Sequence, residues 1–282
     1  MADAAPGAGS AGDPNVCYRH PDRRSFVLCQ RCGRTVCGEC QTPAPVGVRC
    51  PECMAEAAAA MPKQRSPLLR AVRRGSSTPV VTYSILAVTV GVFILQFLSQ
   101  GAVTRALGYA PPLTLIEPWR MLTVALVHNS NFFHILFNMY ALFVLGPLLE
   151  QLVGRWRFAV TYVLSTLAGS VAVLWLAPAT FVIGASGAIF GLFGAFFVIQ
   201  RRLGGNSAQL MMVLGINLAI GFVLPNISWQ AHVGGLIGGA IVALIFVRTR
   251  RRQQTALQIG LLVAFAALLI GGTVLRFVLA AA

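Results

Sequence analysis

Seven uninterrupted apolar runs constrain this chain more than any other feature. They lie at about 80–99, 131–152, 156–177, 186–200, 208–224, 229–247 and 257–280. Crossing a hydrocarbon core takes roughly 20 apolar residues in a helix. A helix also satisfies its own backbone N–H and C=O groups where no water can. The fourth and fifth runs are short. With 56% hydrophobic and only 11% charged residues, the composition excludes an ordinary soluble protein. The expectation is an all-α polytopic membrane protein.

The net charge of +14 would suit nucleic acid, but its distribution argues otherwise. Lys63, Arg65, Arg70, Arg73 and Arg74 precede the first run, and Arg155 and Arg157 follow the second. Arg201 and Arg202 follow the fourth, and Arg248, Arg250, Arg251 and Arg252 the sixth. These are alternate loops on one side. The other side offers only Arg105, Arg120 and Arg276. Basic residues concentrated this way mark the cytoplasmic face, so the N-terminus is expected inside and the C-terminus outside. The basic runs are topology signals that also touch anionic lipid, and no nucleic-acid partner is expected. Residues 1–15 hold no apolar segment of the kind a secretory signal needs, so the first span is expected to double as the insertion signal.

Residues 1–15 read as disordered, 16–54 as a small cysteine-rich domain, and 55–78, with an alanine run and basic residues, as a linker. The long loop between the first two spans carries Trp119-Arg120 and then an apolar stretch, Leu122 to Val127. That stretch is too short to span and is expected in the membrane interface.

All seven cysteines lie in the head, as Cys17-x2-His20, Cys29-x2-Cys32, Cys37-x2-Cys40 and Cys50-x2-Cys53. Seven Cys and one His make eight ligands, enough for two tetrahedral zinc sites with none left over. Disulfides fit less well with an odd cysteine count on the cytoplasmic side. The expected pairing is interleaved: Cys17, His20, Cys37 and Cys40 on one ion, Cys29, Cys32, Cys50 and Cys53 on the other. Full ligation leaves no open coordination position, so the zinc is expected to be structural, supplying folding energy that about 40 residues cannot find in a core. The segment resembles a B-box-type zinc finger. A cytoplasmic protein partner would suit it.

Polar residues inside lipid are costly and need a reason. With the N-terminus inside, the second, fourth and sixth spans all begin at the outer face. His134, Asn138, Ser186 and His232 then fall within roughly 12 Å of those ends at 1.5 Å rise per residue. His134 and Asn138 are four apart and share one helix face. Ser186 sits between Gly184 and Gly187 at a loop-to-helix junction. Gly187, Gly191 and Gly194 on one span, and Gly235 and Gly239 on another, form faces that let two helices approach closely. Close approach is what a serine hydroxyl needs to reach an imidazole at about 3 Å. Of eight acidic residues, six precede residue 57; Glu117 lies in the outer loop and Glu150 at the inner end of the second span. A Ser-His-Asp triad is thereby excluded unless Glu117 folds over the site. A membrane aspartyl protease, which needs two intramembrane aspartates, is excluded too, and no His-Glu-x-x-His motif occurs.

Trp119-Arg120, His128, His134-x3-Asn138, Gly184-x-Ser186-Gly187 and Ala231-His232-x2-Gly235-x3-Gly239, in that order, resemble the signature of rhomboid intramembrane serine proteases. The resemblance covers about 79–250, and the span at 257–280 is similar to the family's six-plus-one form. It implies a six-helix bundle plus a seventh helix. It implies Ser186 as nucleophile, His232 as general base and acid, and an oxyanion hole of Asn138, His134 and the Ser186 backbone N–H. It implies no catalytic cofactor. Arg120 and Glu150 would be structural, as would Gly184, Gly187, Gly235 and Gly239. His128 would be accessory, and Phe190 stands where many members carry a tyrosine stacked on the histidine. Substrates would be single-span membrane proteins cut near the outer leaflet. A B-box-like head joined to this unit, with one lysine against many arginines, resembles rhomboids of high-GC bacteria and implies a bacterial inner membrane. Two other classes stand beside this reading. One is a transporter, which would place charges or broken helices at the midplane. The other is an inactive rhomboid-like binder of membrane clients, which would lack the serine or the histidine.

Overall fold

A computed structural model describes residues 13–60, 78–205, 207–223 and 227–282. Residues 1–12, most of the expected disordered start, and 61–77, most of the expected linker, lie outside the described residues. The chain divides into two compact units, Met1–Gln64 and Arg65–Ala282.

In the first unit, β1 (Val16–Cys17) pairs antiparallel with β2 (His20–Arg24), and β3 (Thr42–Pro43) with β4 (Val48–Arg49). Helix α1 (Pro51–Ala60) follows. Proline at its first position loses no hydrogen bond there. Residues 55–60, read above as the start of a linker, continue this helix. The buried hydrophobic cluster is six cysteines and Val36. Such a unit has almost no aliphatic core.

In the second unit each of the seven apolar runs is a helix. They are α2 (Val80–Leu98), α5 (Phe132–Val153), α6 (Arg155–Leu176), α7 (Ser186–Arg202), α8 (Ala208–Val223), α9 (Trp229–Arg248) and α10 (Thr255–Ala281), with the short α3 (Ala102–Leu107) and α4 (Arg120–Thr123) in the long loop. Among the described residues, five helices are long and apolar enough to cross a membrane, and α8 is a shorter apolar helix. α7 and α8, with 17 and 16 residues, reach about 24–26 Å at 1.5 Å per residue.

Burial runs opposite to that of a water-soluble helix. On α2 the buried residues are Thr82, Thr89 and Gln96, seven apart, while Val88, Ile94 and Phe97 are exposed. Apolar side chains facing outward belong against lipid, and the polar stripe packs inward. In the stretch Leu122–Val127, Val124, Ala125 and Val127 are buried in the protein while Leu122 is exposed.

Two polar groups lock the ends of the unit. Glu150 accepts the N–H groups of Val81 (3.0 Å) and Thr82 (2.8 Å) and the Thr82 hydroxyl (2.7 Å). The carboxylate thus satisfies donors that the first turn of α2 leaves unpaired, at the positive end of its dipole. Arg120 donates to the carbonyls of Arg105 and Gly108 and pairs with Glu117, tying the long loop together.

α9 lies against α6 and α7 with almost no side chain between. A Cβ placed on Gly235 or Gly239 would fall inside the van der Waals envelope of the carbonyls of Gly187 and Gly191. On another face of α9, a Cβ on Gly234 would stand 2.7 Å from the Ala168 carbonyl. Gly271 of α10, by contrast, has open space around it.

Gly239→Val should therefore lower stability by about 1–3 kcal/mol or more through overpacking. Gly271→Ala should be neutral or slightly stabilising. Denaturation of the purified variants in detergent measures both.

Candidate active site and metal-ligand groups

Ser186 is the first residue of α7. The loop before it turns at Gly184, with φ +125°, a conformation that side chains rarely adopt. A Cβ at Gly184 would also meet His134 Nε2 at 2.9 Å and lie 3.8 Å from Ser186 Oγ. The absent side chain is the space between those two groups.

His232 occupies the first turn of α9, whose start is capped by the Ser228 hydroxyl accepting the Ala231 N–H. Its Nε2 lies 2.8 Å from Ser186 Oγ. The Phe190 ring stacks on the imidazole at 4.1 Å between centroids and 8° between planes. Phe190 is one turn beyond Ser186 on α7, so the helix that carries the hydroxyl also carries the ring stacked on the imidazole. His232 is buried and Ser186 half-buried. Among the described residues no carboxylate touches His232 Nδ1. That atom is buried without a hydrogen-bond partner among the described residues, and Gly221 of α8 packs beside it.

His134 Nδ1 accepts the Asn129 N–H at 3.1 Å. The neutral ring therefore carries its proton on Nε2, the nitrogen facing Gly184 and the serine. Asn138, buried one turn further along α5, donates one amide N–H to the His134 carbonyl at 2.7 Å and keeps the other. As the first residue of α7, Ser186 has a backbone N–H with no intrahelical acceptor. His134 Nε2 and the Ser186 hydroxyl thus flank the gap left by the missing Gly184 side chain.

His128 does not reach the serine. Its Nε2 accepts the Ala185 N–H at 3.4 Å, bracing the residue before Ser186, and its ring lies 5.2 Å from that of His134. Glu117 stays with Arg120, away from this group. Arg120 and Glu150 hold the scaffold contacts described above, and Gly187, Gly235 and Gly239 the α7–α9 contact.

One positioning residue escaped the sequence reading. Gln96 donates to the His128 carbonyl at 2.9 Å and accepts the His128 N–H at 3.0 Å, pinning the stretch of chain that holds that histidine. A lone glutamine near the end of an apolar span was the available signal. A cavity of about 20 Å³ lies beside Ser186, between Tyr109, Thr166, Ser170 and Ala231, with room for about one water.

In the head, Cys17, His20, Cys37 and Cys40 form one group and Cys29, Cys32, Cys50 and Cys53 another, the ligand atoms of each within 4.8 Å of one another. His20 Nδ1 lies 3.8, 3.3 and 3.4 Å from the sulfurs of Cys17, Cys37 and Cys40, and Cys32 lies 3.7 Å from Cys50. A tetrahedral metal bound at ~2.3 Å to sulfur and ~2.0–2.1 Å to nitrogen gives ligand–ligand edges of about 3.5–3.8 Å. Both groups therefore fit a metal ion. Burial raises the Cys17 thiol, but N–H groups at Arg19 and Cys37 and the His20 ring outweigh it and hold the thiol at about 6. Burial and the thiols of Cys17 and Cys37 push Cys40 up to about 11. Burial and neighbouring thiols likewise carry Cys53 to about 12. Loading a metal at neutral pH must displace those protons. Metal affinity of the full-length chain should accordingly fall as pH is lowered from 8 to 6, with proton release on binding; titration with a competing chelator measures it.

Comparison with known proteins agrees with this architecture. The family model described as "Rhomboid domain" matches residues 116–249. The "Putative rhomboid protease YdcA" of Bacillus subtilis is 32% identical over 185 residues, covering 62% of this chain and 92% of that protein. The "Rhomboid protease GluP" of the same organism is 34% identical over 180 residues, 58% of this chain but 34% of that protein. "RHOMBOID-like protein 1" of Arabidopsis thaliana is 34% identical over 138 residues, 46% of this chain and 35% of that protein.

Proposed function

The chain belongs to the rhomboid family, and from that premise we propose that it is an intramembrane serine endopeptidase working through a Ser186–His232 dyad. The 2.8 Å contact between Ser186 Oγ and His232 Nε2, held flat under Phe190, carries the reading. His232 Nε2 takes the hydroxyl proton as Oγ attacks the scissile carbonyl carbon. The carbonyl oxygen becomes an oxyanion, held by the Ser186 N–H, the free Asn138 amide N–H and His134 Nε2–H. The imidazolium then returns its proton to the departing amine, leaving an acyl-serine. Water, deprotonated by the same His232, releases the acid product. The cavity beside Ser186 is a place where such a water can wait.

Substrates are single-span membrane proteins. A helix must unwind locally to be cut, because its carbonyls are otherwise engaged in hydrogen bonds. The charge pattern supports a multi-pass protein of a bacterial plasma membrane, N-terminus in the cytoplasm, C-terminus outside and the dyad toward the outer leaflet. The two head groups take zinc, which suits a donor set of thiolates and one imidazole. There zinc supplies folding energy and no chemistry on the substrate. A cytoplasmic protein is the partner that a head of this type would take.

A serine-reactive fluorophosphonate should label the wild type and not Ser186→Ala. Cleavage of a reporter span should fall on the order of 10⁴-fold or more in Ser186→Ala and His232→Ala. Asn138→Ala should lose about 10²–10³-fold. A folded wild type that neither labels nor cleaves would leave a client-binding role instead. Metal analysis should find two zinc ions per chain. Chelation should unfold the head, seen by protease sensitivity of residues 16–54, while the membrane unit keeps its melting temperature.

A further inference from the structure

Ser186 and His232 sit in the first turns of α7 and α9; a second polar site lies near the other ends of the same helices. A cavity of about 160 Å³ is bounded there by Arg157, Arg202 and Arg250, with Ile199, Leu203 and Phe246 among its apolar walls. That is far more than the roughly 10–15 Å³ one water needs.

Three arginines line this space, and the side chains of the membrane unit supply no anion for them. Beyond residue 60 the only acids are Glu117 and Glu150. Glu117 is paired with Arg120, and the Glu150 carboxylate is taken by the first turn of α2. The carbonyl ends of α5, α7 and α9 explain why cations collect here, but they provide no countercharge that fills the cavity.

Arg157 is held in place. Its Nε donates to Gln258 Oε1 at 2.9 Å, and its guanidinium lies over the Trp156 and Phe246 rings. Gln258 is buried on α10 and donates to the Thr249 carbonyl (3.0 Å) and hydroxyl (2.6 Å). Arg202 and Arg250 are exposed and can turn toward a ligand.

A fixed arginine, two adjustable ones and an apolar wall at the end of membrane helices match one ligand chemistry: a phosphodiester with hydrocarbon attached. We propose that this cavity binds the headgroup of an anionic phospholipid, whose phosphate bridges Arg202 at the end of α7 and Arg250 just past the end of α9. Such a bridge ties together the two helices that carry Ser186 and His232. It also assigns a task to α10, whose Gln258 orients Arg157.

The test uses the full-length protein in mild detergent, with phosphatidylglycerol, phosphatidylcholine or inorganic phosphate added. Melting temperature and lipid retained in native mass spectra are the readouts. Phosphatidylglycerol should raise the melting temperature of the wild type. In Arg202→Gln/Arg250→Gln the shift should vanish and retention should fall on the order of tenfold. Arg201→Gln/Arg248→Gln removes equal charge from the same helices outside the cavity and should keep the shift. Arg202→Lys/Arg250→Lys should keep part of it and covers the case in which the glutamine pair does not fold. Equal losses in the two glutamine pairs, an equal shift from phosphatidylcholine, or inorganic phosphate matching phosphatidylglycerol would each overturn the proposal.

Discussion

Backbone-to-backbone contact between α7 and α9 is the interaction on which the rest depends. Lipid offers no hydrophobic drive for two apolar helices to meet, so association relies on close packing and polar contacts. Gly187 and Gly191 on one helix and Gly235 and Gly239 on the other remove the side chains that would hold the axes apart. Ser186 and His232 sit at the beginning of these two helices. The axis separation decides whether a short hydroxyl and an imidazole can touch, and the 2.8 Å between them is a consequence of four missing side chains. The same glycines in a looser pair would leave a serine free to bond its own helix, as serines in membrane helices commonly do.

The scarcity of acids organises everything polar around that contact. Only two carboxylates follow residue 60, and each is spent on scaffold: Glu150 on the opening turn of α2, Glu117 on Arg120. A carboxylate buried beside His232 would need its own partners in a low-dielectric setting, at a cost of several kcal/mol if unmatched. The imidazole is oriented instead by shape. Phe190 covers one face, and the Ser228 cap and the glycine contact with α7 fix the backbone from which the ring projects. An aromatic stack restrains a ring without introducing charge into lipid.

Much of this was readable from spacing. Seven apolar runs announced seven helices, because no other element satisfies its own backbone within one segment. The i, i+4 relation of His134 and Asn138 and the glycine periodicities on α7 and α9 follow from helix geometry alone. What spacing could not show was the direction of individual hydrogen bonds. Asn138 gives one N–H to the His134 carbonyl, and His134 owes its tautomer to the Asn129 N–H from a turn. Gln96 meets His128 across 32 residues of sequence, and nothing local to either announces it. Leu122–Val127 has the composition of an interfacial stretch, and composition could not show which of its side chains, Val124, Ala125 and Val127, pack into the protein. The alanines after Cys53 look like spacer, but alanine is the best helix former and α1 runs on through them.

The second glycine face of α9 completes the logic. Gly234 and Gly238 press on Ala168 and Ala172 of α6 while Gly235 and Gly239 press on α7. α9 is thus wedged between two helices and has little freedom to rotate. Rotation by one residue, about 100°, would carry His232 away from Ser186 altogether. A helix gripped on two faces holds its histidine to one azimuth, and the proposed Ser186–His232 dyad, with no third polar member among the described residues, needs that more than a triad would. A carboxylate on Nδ1 could otherwise pull a wandering ring back into line. Here the packing of small residues does that task, so a side chain added at Gly234, far from the serine in sequence, acts on the same geometry as one added at Gly235.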